Sequence, residues 1–383
     1  MSARSKVARR LGLAFAGLVA GLAAVEIALR IVGLPRFHDH KTEITSRFGI
    51  SDEVTEDNTP VWVNLPGAAI RFRYDDNPRG YFDNNNELAH FTNKAGFRGG
   101  EFEPAKPADT IRIAFLGDSF TFGEGVRFEH TYPERLAALL RRRTGGTRMN
   151  VQSYNFGVGG YNTTQSLHAL RKWALVCQPD IVVLGFALND AEEPLYEIDA
   201  ATGRPKRRNR EGDVPEYIDD ARPPDSLLYK SAIARCLWRY RAGKERANRI
   251  IAFYHGLYTD EQPGWQACKR SLRDISEACS QRGIPFVVVQ FPALIALDNR
   301  YPFTGIHEQV RKEVESVSAT FVDLLPHFKG RNAAALWVHP ADQHPNEIAH
   351  EIAARALANK LTAAGIIEQV MAERSATETP EQQ

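Results

Sequence analysis

The chain has 383 residues, 43% of them hydrophobic, which exceeds one average domain and is ample for a packed core. Its 48 Lys and Arg balance 47 Asp and Glu, for a formal net charge of +1 at pH 7, and this excludes a chain built to coat nucleic acid. The cysteines (Cys177, Cys236, Cys268, Cys279) show neither a C-x-x-C pair nor zinc-ligand spacing, so buried free thiols are expected.

In chain order, the first element is a basic then apolar amino terminus. Arg4, Lys6, Arg9 and Arg10 precede a stretch from Leu11 to Leu34 in which Glu26 and Arg30 are the charged residues. At about 1.5 Å per residue this stretch makes a helix of ~36 Å, enough to cross a ~30 Å hydrocarbon core. Glu26 and Arg30 stand four apart and can pair near the outer interface. The positive-inside rule leaves residues 1–10 as a cytoplasmic tail, 11–34 as a single-pass signal anchor, and the rest outside, periplasmic in a Gram-negative cell. A cleaved signal peptide ending near Ala23-Ala24 is the rival reading.

Residues 35–109 are polar and rich in Asn, Asp, Gly and Phe, an expected extension packed on the main domain, with Arg71-Phe72-Arg73-Tyr74 as an edge strand. The main domain, 110–368, alternates strand and helix patterns. Strand signals fall at Ile111 to Leu116, Asn150 to Tyr154, Ile181 to Leu184, Ile284 to Phe291 and Thr320 to Leu324. Helical periodicity falls at Tyr132 to Arg143, Asn162 to Cys177, Trp265 to Arg282 and His307 to Val317. Such alternation predicts an α/β fold with a mainly parallel five-stranded sheet covered on both faces. Right-handed crossovers then gather the carboxyl ends of the strands along one edge.

Residues 191–264 form an insertion, too long for a structureless loop, and Ser226 to Ile251 is expected to be helical. Its basic run, Arg204, Lys206, Arg207, Arg208 and Arg210, reads as a solvated loop. Tyr254, His255, Tyr258 and Trp265, at helical spacing, read as core ahead of a sugar-binding surface. A polar tail, 369–383, is expected to be disordered.

Four short blocks carry chemistry, each beside a strand end. Phe115 to Val126, FLGDSFTFGEGV, displays Ser119 just past the first strand, where open α/β sheets place ligands. A serine hydroxyl needs a base, and His344, two residues after Asp342, supplies one with a carboxylate to orient it. His339 and His350 compete for that role. Asn346 opens a helix with Ile348, Ile352, Ala353, Ala356 and Leu357 on one side. Asn155 to Asn162, NFGVGGYN, offers a backbone N–H at Gly160, with Gly157 and Gly159 as rivals. Gly185 to Asp190, GFALND, offers the Asn189 amide, while Asp190 reads as structural. With the N–H of Ser119, these donors suit the oxyanion of acyl transfer.

The order of the blocks resembles the SGNH (GDSL-type) hydrolases, over roughly Arg112 to Leu361. Asn93 to Gly99, NKAGFRG, and Thr131 to Arg135, TYPER, resemble a membrane-anchored bacterial branch of that family. The resemblance implies a three-layer α/β/α flavodoxin-like fold and acyl chemistry without a metal or cofactor. It assigns the serine, glycine, asparagine and histidine roles to Ser119, Gly160, Asn189 and His344. The family's Asp-x-x-His pattern fails, since Ala341 stands three before His344; the shorter Asp342-x-His344 spacing resembles the alginate O-acetyltransferases.

The expected function is thus an extracytoplasmic serine esterase hydrolysing acetyl or other short acyl esters through an acyl-enzyme. Its partners would be an ester-bearing small molecule or an envelope polysaccharide, and the membrane, but not nucleic acid. The alternatives are a polysaccharide O-acyltransferase using the same Ser/His site and a noncatalytic binding scaffold. An ordinary α/β-hydrolase lacks support because no Gly-x-Ser-x-Gly elbow surrounds Ser119. A zincin site lacks support because His350-Glu351 has no second His on its helix.

Overall fold

The computed structural model describes residues 3–34, 43–45, 60–143, 149–194, 196–198, 205–207, 223 and 225–377. It divides into two compact units, Met1–His40 with Gly212–Ala252, and Lys41–Glu211 with Phe253–Gln383.

In the first unit, α1 (Ala3–Val32) is a single unbroken helix. Its apolar side chains, among them Leu11, Phe15, Leu18 and Leu22, stay exposed except for the half-buried Leu29, and from Lys6 to Val32 it is long and apolar enough to cross a membrane.

The second unit begins with an antiparallel sheet of β1 (Glu43–Thr45), β2 (Ala69–Arg73) and β3 (Glu87–Phe91). Its order is β1-β2-β3, so the predicted edge strand is the middle one. Short polar partners, EIT and ELAHF, hid that pairing in the sequence. Alternation along β2 buries Ile70 and Phe72 and exposes Arg71 and Arg73. Ile70, Phe72, Tyr74 and Phe82 form one cluster with Phe122, Val126 and Val338. At about 1.5–3 kcal/mol for each buried large side chain, this cluster fastens the extension to the segments that carry Ser119 and His344.

The central sheet takes β4 (Thr110–Gly117), β5 (Asn150–Asn155) and β6 (Ile181–Phe186). After a hairpin of β7 (Tyr196–Ile198) and β8 (Pro205–Arg207) it adds β9 (Phe286–Gln290) and β10 (Thr320–Asp323). Its five strands are all parallel, in the order β10-β9-β6-β4-β5. Counted from the β5 edge this is the flavodoxin-like order 2-1-3-4-5, whose direction of winding reverses between β4 and β6. Every residue of β4 and β6 is buried, because their continuous apolar runs are covered on both faces.

The covering helices follow the predicted spans closely. They are α2 (Ser119–Phe122), α3 (Tyr132–Arg143), α4 (Thr163–Ala169), α6 (Pro263–Ser280) and α7 (Thr304–Ser316), whereas α5 (Ala232–Leu257) falls mostly in the first unit. Further on come α8 (Leu325–Phe328), a ribbon of β11 (Trp337–His339) and β12 (Asp342–Pro345), α9 (Glu347–Ala363) and α10 (Ile366–Thr377). Helix α3 packs on α9, and α4 on α6. Within the insertion, α5 covers the stretch expected to be helical from Ala232 onward; of the basic run, expected as a loop, Lys206 and Arg207 stand on β8, and Arg204, Arg208 and Arg210 lie outside the described residues.

Three expectations need correction or refinement. The buried residues of α9 are Ala349, His350, Ala353, Ala354, Ala356, Leu357, Ala358 and Leu361, so Ala353, Ala356 and Leu357 stand where expected, while Ile348 is exposed and Ile352 half-buried. Small alanines allow close approach to α3, so they and not the isoleucines define that face. The tail does not start at 369, because Ile366, Ile367 and Val370 are buried and extend the helical spacing into α10. Residues 378–383 lie outside the described residues. Trp265 and Tyr258 are core residues, which leaves no aromatic surface built on them, and all four cysteines are free.

Candidate active site

Strand β4 ends at Gly117, whose φ of 141° lies where side chains are disfavoured. A Cβ there would come within 2.6 Å of the Gly185 carbonyl oxygen on β6. Asp118 then caps α2, its carboxylate accepting the Phe120 N–H at 2.9 Å, and Ser119 opens the helix with 9% of its surface exposed.

Ser119 Oγ lies 2.9 Å from His344 Nε2. The other ring nitrogen, Nδ1, lies 2.5 Å from Asp342 Oδ1, which also accepts the His344 backbone N–H at 3.1 Å. Tyr74 OH donates to Asp342 Oδ2 at 2.8 Å. Both members of the Asp-x-His pair sit on β12, where residues two apart share a face, so the short spacing brings carboxylate and imidazole together without a helical turn. Burial pushes the Asp342 carboxyl up, but the His344 charge and the hydrogen bonds from His344 and Tyr74 outweigh it and hold the group below its usual value.

After β6, Asn189 donates from Nδ2 to Asp118 Oδ2 at 3.0 Å, which leaves the second amide proton for another acceptor. Asp190 accepts the Ala187 N–H at 2.7 Å and the Thr163 hydroxyl at 2.9 Å, the structural role expected of it. Burial, with the Asp118 carboxylate beside it, drives the Asp190 carboxyl well above its usual value. Gly160 adopts a φ of 79° in the loop after β5. That loop is tied to α2 by Asn155, which donates to the Thr121 carbonyl at 2.7 Å and accepts the Gly157 N–H at 2.9 Å. The Gly157 amide is thereby engaged, and a Cβ at Gly157 would meet Phe122 N at 2.5 Å.

The rival histidines lie elsewhere. His339 Nε2 is 2.7 Å from Asp76 Oδ1. His350 is fully buried on α9, accepts the Tyr132 N–H at 3.1 Å through Nδ1, and stacks on the Tyr132 ring. Burial, helped by the Arg98 charge, drives its pKa down to about 3, so it is neutral near neutrality.

Sequence reasoning gave no site role to Tyr74, Arg98 or Glu124. The Arg98 guanidinium is buried and donates to the carbonyls of Phe122 at 2.8 Å, Gly123 at 2.5 Å and Val126 at 2.5 Å. Burial lowers its pKa to about 9. His90 Nε2 accepts the Gly125 N–H at 3.1 Å from the same loop. The pinned loop holds Glu124, 4% exposed, with Oε2 3.8 Å from His344 Nε2. The available signals were an arginine in the 93–99 block and a glutamate between two glycines five residues beyond Ser119.

A hydroxyl bonded to an imidazole, itself held by a carboxylate, is the nucleophile, base and orienter arrangement of acyl transfer. A family model described as GDSL-like Lipase/Acylhydrolase matches residues 115–352. No curated protein matches the chain. Solved structures similar to it include a G-D-S-L family protein from Desulfitobacterium hafniense, at 11% identity and a TM-score of 0.37, covering 65% of this chain and 99% of that one. A two-domain esterase active on acetylated mannans shows 14% identity and a TM-score of 0.40, over 70% of this chain and 52% of that one. A catalytic mutant of an acetylxylan esterase from Geobacillus stearothermophilus shows 18% identity and a TM-score of 0.40, over 66% of this chain and 94% of that one.

Proposed function

Since the chain belongs to the GDSL-like lipase/acylhydrolase family and is a hydrolase acting on ester bonds, we propose that Ser119 is its nucleophile, His344 its general base and Asp342 the orienting acid. Ser119 Oγ attacks the ester carbonyl while Nε2 takes the hydroxyl proton. The N–H groups of Ser119 and Gly160 and the Asn189 amide receive the oxyanion, each donor contributing about 3 kcal/mol. Collapse expels the alcohol, which takes the proton back from Nε2, and leaves an acyl-enzyme. Water, deprotonated by the same nitrogen, then releases the acid and restores Ser119. The single observation that supports this reading is the unbroken hydrogen-bond chain from Tyr74 through Asp342 and His344 to Ser119.

The proposal extends to location and substrate. Helix α1 is a signal anchor, supported by its exposed apolar surface and the basic residues before it, and it leaves the hydrolase outside the membrane. Acetyl or other short acyl esters of envelope carbohydrate are the substrates such an anchored domain would meet.

The test uses the full chain in detergent with an aryl acetate, an aryl octanoate and an acetylated oligosaccharide. Ser119→Ala and His344→Ala should lose hydrolysis and Ser119→Ala should lose labelling by a fluorophosphonate. Full activity in either variant overturns the mechanism, and an unlabelled wild-type serine favours the noncatalytic scaffold. Acylated oligosaccharide without matching free acid assigns the O-acyltransferase instead.

A further inference from the structure

Glu26 is a carboxylate far along the apolar stretch of α1, and besides Arg30 its partners come from a segment some two hundred residues later. Its Oε2 accepts the Ser231 hydroxyl at 2.8 Å and the Ile233 N–H at 3.0 Å, and its Oε1 accepts the Ala232 N–H at 2.8 Å. Ala232 and Ile233 open α5, so the first amides of that helix are capped by a side chain of α1. Arg30, one turn on, donates to Glu26 Oε1 at 2.7 Å and to the Lys230 carbonyl at 2.6 Å. Two charges that lipid would otherwise penalise are thus mutually satisfied and bound to one short stretch of chain.

Depth follows from helix geometry. From Arg10, at the inner boundary, to Glu26 is about 24 Å along α1 at about 1.5 Å per residue, short of a ~30 Å hydrocarbon core. Lys230 to Ile233, within hydrogen-bond reach of Glu26 and Arg30, therefore lie at the outer edge of that core. Immediately before them stand Leu227, 79% exposed, and Leu228, 66% exposed. Two leucines left uncovered next to a membrane-spanning helix are costly in water, and at this depth they meet acyl chains instead. Arg235 and Arg239 follow within the first two turns of α5, cations of the kind that phosphate headgroups attract.

We propose that the segment from Leu227 to Ile233 is a membrane-contact surface that seats Leu227 and Leu228 in the outer leaflet, with Glu26 as the tether that sets its depth. The proposal rests on the anchor reading of α1. It ties the insertion to the bilayer at a second point besides the anchor itself.

The test places one environment-sensitive fluorophore per molecule in a Cys236→Ser background, at Leu228→Cys or at Leu18→Cys. The full chain is reconstituted in phosphatidylethanolamine and phosphatidylglycerol vesicles that contain nitroxide-labelled lipid. Quenching and a blue-shifted emission at both positions is the expected result. Quenching at Leu18 with a water-like signal at Leu228 overturns the contact while leaving the anchor standing. Water-like signals at both positions overturn the anchor reading, and the contact with it. In Glu26→Leu, the Leu228 signal should lose its quenching while Leu18 keeps it, with ester hydrolysis retained as evidence of fold. Quenching at Leu228 that survives Glu26→Leu overturns the tether.

Discussion

Replacing His350 by glutamine tests the electrostatics of the buried layer behind the site. Folded, this imidazole has a pKa of about 3, set by burial and then by the charges of Arg98, His344, Arg135 and His130. Unfolded, it returns to about 6.5, so below that pH the unfolded chain binds a proton that the native chain refuses. A depressed histidine pKa therefore costs stability as pH falls, beginning near 6.5 and ending near the folded value. Between pH 7.5 and pH 4.0 the loss from this one residue is about 3 kcal/mol, at 1.36 kcal/mol per unit. His350→Gln removes the titration, although losing the Tyr132 contact destabilises the variant at neutral pH. Urea unfolding of both proteins, followed by tryptophan fluorescence at the two pH values, should show the stability gap shrinking by about 3 kcal/mol at the lower pH. Raised carboxyls such as Asp118 and Asp190 are common to both proteins and drop out of the difference. A gap independent of pH would refute the claim that His350 is buried neutral.

Tyr74→Phe removes one hydrogen bond to an ionised, buried carboxylate, an interaction worth about 1.5–3 kcal/mol. The Asp342 carboxyl should rise toward its ordinary value and kcat/KM should fall by about tenfold or more, mostly in kcat; unchanged kinetics would show that Asp342 needs no such support. Glu124→Gln takes a negative charge from beside Nε2 of His344, so the imidazolium loses stabilisation and the acidic limb of kcat/KM should move to lower pH by about 1 unit. An unmoved limb in a folded Glu124→Gln protein would remove Glu124 from the electrostatics of the base.

The central sheet was legible because β6 and β9 are continuous apolar runs and the other strands alternate with helical patterns between turn residues, a local signal. Ser119, Asp342 and His344 were named from the order of four short blocks, and β12 shows how a two-residue spacing brings carboxylate and imidazole together where the family pattern has three. Tyr74 was not legible, because its partner lies 268 positions away and the contact depends on how an antiparallel extension folds over the main domain. Arg98 looked like part of a motif without a task; its task is to hold carbonyls of a loop that local sequence cannot show to be short of donors. The face of α9 was legible in part: Ala353, Ala356 and Leu357 lie on it as expected, but further alanines, which carry little hydrophobic signal, fill it where Ile348 was expected.

The three-stranded extension supplies the hydroxyl behind Asp342 and the guanidinium beneath the Glu124 loop, yet both lie ahead of the stretch shared with the family. Support for the candidate site is therefore divided between the stretch that the family model matches and the segment ahead of it. Residues 115–352 grafted alone would carry Ser119, Asp342 and His344 without the Tyr74 hydroxyl and the Arg98 guanidinium that brace their surroundings.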